Sequence, residues 1–184
     1  CNWVKDGSVD FGFVTPEATD GLTVVPLKTD EMMAVVNINH PLAHKAEVTM
    51  EELAKDSYIL LDEGEVSEPM EYFKANNIEP NIQFVVFDDY TIMSMVEQNL
   101  GVSVLPKLVL SRHPHHIAVR QIKPAIKRTI AIAYKNKNVL PIASRYCRYL
   151  RLRNFPMQWA ASQKLAAVIS SSIKRLVIIE NLKG

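Results

Sequence analysis

Short apolar stretches alternate with amphipathic stretches along most of this chain. The apolar stretches are rich in β-branched and aromatic residues, and they predict strands at residues 9–14, 22–27, 31–36, 58–61, 82–87, 102–105, 117–122 and 129–134. Apolar residues at helical spacing predict helices that begin near residues 50, 68, 89, 141 and 159. Strands that alternate with helices predict an α/β architecture with a largely parallel sheet.

Several predicted helices carry start and stop signals. Thr49 and Glu52 have the spacing of a capping box, and Ser67 is a suitable N-cap for the following helix. Asp88 opens the next helix, and Gly101 is expected to end it in a left-handed conformation.

Composition excludes several classes of protein. The chain has 184 residues, of which 48% are hydrophobic and 22% charged, so it can bury a core and is not expected to be disordered. Two cysteines, at positions 1 and 147, cannot form a disulfide framework or a cysteine-based zinc site. Neither an 18-residue apolar run nor a signal peptide is visible, which favours a cytoplasmic location. The chain lacks an initiator methionine, and we expect it to be a fragment.

Charge is distributed unevenly. Residues 1–110 have six basic and nineteen acidic residues, a net charge of −13, whereas residues 111–184 have fifteen basic residues and one acidic residue, a net charge of +14. We expect the two halves to neutralise each other in the fold. The alternative is a nucleic-acid-binding tail at residues 145–153, which contain four arginines.

Catalytic and metal-binding motifs are missing from the sequence. There is no G-x-S-x-G elbow, no glycine-rich phosphate loop and no C-x-x-C pair. His40 and His44 have a metal-ligand spacing, but Pro41 predicts a loop there. A solvated loop is also predicted for His113, His115 and His116. We therefore predict no catalytic residue, no metal and no cofactor.

Three motifs occur in a characteristic order. They are Gly7-x-Val9-Asp10-Phe11-Gly12-Phe13, then His40-Pro41-Leu42-Ala43, then Met95-Val96-x4-Gly101-Val102-x-Val104-Leu105-Pro106. Over residues 2–153 the chain resembles the effector-binding domain of LysR-type transcriptional regulators. Asn99-Leu100 departs from the Gly-Leu that is more usual in that family.

The resemblance implies a fold and a domain organisation. It implies a type II periplasmic-binding-protein-like α/β fold with two Rossmann-like lobes, truncated at the N-terminus. The first lobe would contain residues 1–48 and 134–153, and the second lobe residues 49–133. Residues 154–184 match nothing expected in the family and are predicted to be an atypical helical tail.

The resemblance also implies a ligand site in the cleft between the lobes. Ligands of open α/β sheets bind at the carboxyl ends of strands. The strand ends in this sequence contribute Thr15, then Leu61, Asp62 and Glu63, then Phe87, Asp88 and Asp89.

The function implied is regulation rather than catalysis. A small-molecule effector would shift the domain between two arrangements and so control DNA binding and transcription. The resemblance implies a homodimer or tetramer that uses the helix after Asp89, with DNA bound only through an N-terminal domain. Two alternatives stay open: a solute-binding protein of the same fold, and an enzyme on this fold.

Overall fold

A computed structural model describes residues 2–14, 16, 21–62, 67–112 and 115–135. The predicted helices that begin near residues 141 and 159, the basic segment and the tail lie outside these residues. The helices are α1 (Asn2–Lys5), α2 (Met50–Ala54), α3 (Glu68–Ala75) and α4 (Asp89–Glu97), with 3-10 helices at Pro41–His44 and Val109–Arg112. The strands are β1 (Gly12–Val14), β2 (Thr23–Asn37), β3 (Glu47–Val48), β4 (Tyr58–Leu61), β5 (Ile82–Val86), β6 (Ser103–Pro106), β7 (Ile117–Ile122) and β8 (Lys127–Tyr134).

The chain divides into two compact units. The first unit consists of the described parts of Cys1–Lys28 and Thr129–Gly184, and the second unit is Thr29–Arg128. Strands β2 and β8 contribute residues to both units. The lobe boundaries after residues 48 and 133 stay a prediction.

A small antiparallel sheet organises the first unit. Strand β1 pairs with β8, with Gly12 opposite Ala133. Phe11 is buried beside Ile132 and Tyr134, and its ring lies edge-to-face with Phe13 at 6.1 Å. The strand predicted at residues 9–14 is therefore shorter than expected, because the residues before Gly12 join the core without joining the sheet.

Two sheets form the centre of the second unit: a two-stranded sheet of β4 and β5, and the part of a larger mixed sheet that contains β2, β3, β6 and β7. Strand β4 is parallel to β5, and an isolated parallel bridge joins Tyr58 to Val102, just before β6. Strand β2 runs antiparallel to both β6 and β7, and β7 is parallel to the short β3. The prediction of a largely parallel sheet is wrong for β2, because local hydrophobic patterns do not record strand direction.

One long strand replaces two predicted ones. Residues 22–27 and 31–36 were expected to be separate, but β2 is continuous over 15 residues. Pro26 is exposed and does not end the strand, since its fixed φ is compatible with extended backbone. Successive β2 residues point to opposite faces of the sheet, and both faces are buried. One face receives Met32, Ala34 and Val36, and the other receives Met33 and Val35.

Helices cover both faces of this sheet. On one face α2 and α3 contribute Met50, Leu53 and Phe73 to the core. On the other face α4 buries Ile92, Met93 and Val96 completely. Burial of each such side chain stabilises the fold by about 1.5–3 kcal/mol. No helix in the described ranges has both the length and the apolar character needed to cross a membrane.

Helix ends follow the predicted signals in part. The capping box at α2 is confirmed: Thr49 Oγ1 accepts from Glu52 N at 3.3 Å, and Glu52 Oε2 accepts from Thr49 N at 3.0 Å. The prediction for Gly101 is wrong, because Asn99 takes the left-handed conformation after α4, with φ of 58°. Gly101 is needed for another reason: a Cβ there would overlap the carbonyl oxygen of Ser57.

Candidate ligand-binding site

The carboxyl ends of β4 and β5 lie side by side in the second unit. Leu61 is opposite Val86 in the parallel register, and Asp62 N donates to Val86 O at 2.9 Å. Residues that follow either strand therefore emerge at one edge of the sheet. Of the predicted site residues, the structure brings together Leu61, Asp62, Phe87, Asp88 and Asp89 at this edge. Thr15 and Glu63 lie outside the described residues, so their part in a site stays a prediction.

Asp88 is the N-cap of α4. Its Oδ2 accepts from Thr91 N at 2.6 Å and from Thr91 Oγ1 at 2.7 Å. The carboxylate thus satisfies one of the free N–H groups of the first helical turn. Asp89 adds a second carboxylate to the same turn. An anionic ligand would have to compete with these two acids, whereas a ligand with hydroxyl or ammonium donors would find acceptors.

The two apolar residues of the set differ in accessibility. Leu61 is buried in the cluster that contains Ile92 and Met93, so its side chain belongs to the core. Phe87 is 73% exposed, directly between the end of β5 and the N-cap of α4. An exposed aromatic ring at a strand end can contact a ligand at small cost to the fold.

A shallow depression with room for about one water molecule lies next to the end of β4. Buried Tyr58 lies in its wall, and burial raises the pKa of its hydroxyl. The start of α3, with Ser67 and Pro69, forms another wall that was not expected from the sequence. The lining residues are Met32, Tyr58, Leu60, Leu61, Ser67, Pro69 and Val104.

The predicted cap of α3 differs from that of α4. Ser67 occupies the N-cap position as expected, but its side chain makes no capping hydrogen bond. The two helices therefore provide a matched pair of N-caps, one bonded and one not.

We expect Asp88→Ala to lower the free energy of unfolding by about 1 kcal/mol, because Thr91 loses the acceptor for its N–H group. Urea unfolding followed by circular dichroism measures the change. Ser67→Ala is the control and should change stability by less than about 0.5 kcal/mol. Equal losses in the two variants would mean that the Asp88 hydrogen bonds do not stabilise α4.

Two polar clusters of the second unit were not expected from the sequence. Asp30 is buried, and its carboxylate accepts from Glu31 N and Leu108 N. His115 does not belong to a solvated loop as predicted: its Nδ1 lies 2.9 Å from Glu97 Oε2. Leu108 is 78 positions from Asp30, and Glu97 is 18 positions from His115, so neither contact has a local sequence signal. Among the described residues, no group of three or more His, Cys, Asp or Glu side chains is placed to hold a metal ion.

The fold defines the class of protein. A regulatory domain of Synechocystis CcmR in complex with 2-PG has a TM-score of 0.70 and 19% identity, with 84% of this chain and 79% of that structure covered. The effector binding domain of QuiR in complex with shikimate has a TM-score of 0.68 and 25% identity, with 83% and 74% covered. The chain therefore has the type II periplasmic-binding-protein-like fold.

Sequence comparison gives the family. Residues 1–153 match the model of the LysR substrate binding domain. The chain belongs to this family. An uncharacterized HTH-type transcriptional regulator of Bacillus subtilis, YvbU, is 25% identical over 145 residues, which are 78% of this chain and 49% of the relative. The chain thus spans about half the length of this curated relative.

Proposed function

We propose that this chain is the ligand-sensing part of a LysR-type transcriptional regulator. The observation that carries the proposal is the common edge of β4 and β5, where Asp62, Phe87 and Asp88 emerge together. The complexes of QuiR with shikimate and CcmR with 2-PG support a small molecule as the ligand. The role is binding, not catalysis, and the location is the cytoplasm.

The regulatory step follows from differential binding. A small effector that binds one conformation of the domain more tightly shifts the population toward it. In a regulator of this family, a helix-turn-helix domain binds the DNA. The relative YvbU is described as a regulator of this helix-turn-helix type. The ligand thus acts on transcription through a conformational equilibrium and not through a reaction.

Thermal unfolding of this chain with a panel of carboxylates, amino acids, polyols and polyamines tests the proposal. A ligand present at 100 times its Kd stabilises the native state by about 2.7 kcal/mol. Phe87→Ala should abolish the thermal shift without lowering the ligand-free Tm, since Phe87 is 73% exposed. Ile38→Ala, 47% exposed in another loop, is the control and should keep the shift. An unchanged shift in the Phe87 variant would place the ligand elsewhere.

The partner of the sensing domain is a second copy of the same chain. Among the described residues β5 pairs only with β4, so its other edge offers unused backbone groups. Phe84 and Val85 on this strand are 40% and 51% exposed, and Tyr90 nearby is 54% exposed. The β5 sequence IQFVV carries no charge, so pairing two copies would bring no like charges together.

We expect Val85→Lys to weaken self-association at least about tenfold, because a lysine on an edge strand opposes strand pairing. Sedimentation velocity over a concentration series measures the dissociation constant. Ile38→Lys, at a site 47% exposed in the loop after β2, is the control and should leave the constant unchanged. A dimer that tolerates the lysine at position 85 would use a different surface.

A further inference from the structure

Tyr58 places a hydroxyl group in the apolar core of the second unit. Only 1% of the residue is exposed, and its ring lies edge-to-face with Phe73 at 5.4 Å between ring centres. The backbone of Tyr58 is bonded, since its N donates to Asn81 O at 2.8 Å. Its hydroxyl has no hydrogen-bond partner among the described residues, and the pKa of this group is raised by burial alone. The Tyr58 hydroxyl is thus a buried polar group that the described part of the chain does not satisfy.

A buried hydroxyl of this kind needs a partner. In native proteins the large majority of buried polar side-chain atoms are hydrogen-bonded, either to protein or to ordered water. A donor that is buried and left unsatisfied loses its hydrogen bonds to solvent and gains nothing in return. Because no described protein group bonds the Tyr58 hydroxyl, a water molecule is the partner to consider.

The Tyr58 hydroxyl reaches the shallow depression next to the end of β4. Its oxygen does not belong to the fully covered side-chain atoms that lack a hydrogen bond within the described ranges, so it keeps a small contact with solvent. Tyr58 lines the depression, and the rest of its side chain is covered by the core. The depression is therefore the place where a molecule from solvent can meet this hydroxyl.

The size and the lining of the depression suit one water molecule. Its room is that of about one water, which excludes a larger organic ligand. Two lining residues, Tyr58 and Ser67, have hydroxyl groups, and two polar partners are the minimum for an ordered water. The other lining residues are apolar: Met32, Leu60, Leu61, Pro69 and Val104.

The Ser67 hydroxyl is available to such a water. Ser67 is the N-cap of α3, but its side chain makes no capping hydrogen bond. Pro69, the second residue of this helix, has no N–H group, so one of the two usual donors to an N-cap side chain is missing. A serine hydroxyl can both donate and accept. It can therefore accept a hydrogen bond from a water that itself accepts from Tyr58.

We propose that Tyr58 and Ser67 bind one water molecule, which bridges the buried strand β4 and the start of α3. The Tyr58 hydroxyl donates to the water oxygen, and the water donates to Ser67 Oγ. A bridging water is nearly as favourable in enthalpy as a direct hydrogen bond, so the Tyr58 hydroxyl is satisfied within the core. Ser67 is half-buried and can bond solvent instead, so the small effect expected for Ser67→Ala still holds. This site is independent of the effector, because its ligand is solvent.

Thermal unfolding of Tyr58→Phe tests the proposal, because phenylalanine keeps the ring and its contact with Phe73. If the hydroxyl is bonded to water, its removal should leave Tm unchanged or lower it. If the hydroxyl were unsatisfied, its removal should raise Tm by about 3 °C or more. Tyr90→Phe is the matched control: Tyr90 is 54% exposed, so loss of its hydroxyl should leave Tm unchanged.

Crystal structures of the wild-type chain and of Tyr58→Phe locate the water directly. We expect an ordered water at about 2.7–3.0 Å from Tyr58 Oη in the wild-type chain and none at this place in the variant. A wild-type crystal without this water, or with the Tyr58 hydroxyl bonded to a protein atom, would overturn the inference. A raised Tm for Tyr58→Phe would also overturn it. The wild-type crystal decides the question even if the variant does not fold.

Discussion

Replacing Gly101 by alanine is expected to destabilise the second unit by about 3 kcal/mol or more. The new Cβ would overlap the carbonyl oxygen of Ser57 and come within 3.1 Å of Ile59 Cγ1. Ser57 O is a backbone atom that accepts a hydrogen bond from Val102 N at 2.8 Å. Neither Ser57 nor Gly101 can therefore move away from the other without breaking this bond between the start of β4 and the segment before β6. Urea unfolding or the loss of a cooperative thermal transition measures the effect.

The matched control is Gly21→Ala. Gly21 has φ of 77°, but a Cβ there would meet nothing within 4 Å. The substitution should cost only the strain of a left-handed alanine, about 1 kcal/mol. If Gly101→Ala were no worse than Gly21→Ala, the close approach of Ser57 to Gly101 would not be a feature of the folded protein.

Gly101 illustrates what the sequence can predict. The sequence indicates a glycine after α4, but its predicted role as a left-handed helix stop is wrong. Helix termination is a local property, and Asn99 satisfies it. The close approach of two chain segments is not local, because Ser57 and Gly101 are 44 positions apart in the sequence.

Helix caps and strands are predicted correctly where residues close together in the sequence determine them. The capping box of Thr49 and Glu52, the Asp88 N-cap and the strands β4 and β7 need only their own neighbours in sequence, and the structure confirms them. The strand direction of β2 needs knowledge of its partners, β6 and β7, so the largely parallel sheet was a wrong prediction.

The candidate site was predictable in outline only. Residues at strand ends could be named from the sequence, and the parallel register of β4 and β5 places five of them at one edge. The hydrogen bond from Asn37 Nδ2 to Glu97 O could not be predicted, because the two residues are 60 positions apart and nothing in either segment indicates the other. Paired polar groups from distant segments are visible only once the sheet has been assembled.

The second large effect is expected for Asp30→Ala, which should lower the free energy of unfolding by about 3 kcal/mol. The carboxylate is 5% exposed; its Oδ1 accepts from Glu31 N at 3.0 Å, and its Oδ2 from Leu108 N at 3.2 Å. Arg128 Nε lies 4.0 Å from Oδ2, with 14% of the arginine side chain exposed. Alanine removes the acceptors for Glu31 N and Leu108 N and a negative charge near the half-buried Arg128 side chain, and each buried donor left unsatisfied costs about 1–3 kcal/mol.

Glu31→Ala tests whether burial, and not charge, causes this effect. The neighbouring Glu31 carries the same charge, but its ion pair with Lys107 spans 3.2 Å between side chains that are 41% and 57% exposed. Such an exposed pair contributes about 0–1 kcal/mol. Asp30→Asn should fall between the two alanine variants, because the amide oxygen can still accept from Leu108 N while the charge opposite Arg128 is lost. Equal unfolding free energies for Asp30→Ala and Glu31→Ala, measured in urea, would contradict a stabilising role for the buried carboxylate, since the two substitutions remove the same charge from adjacent positions.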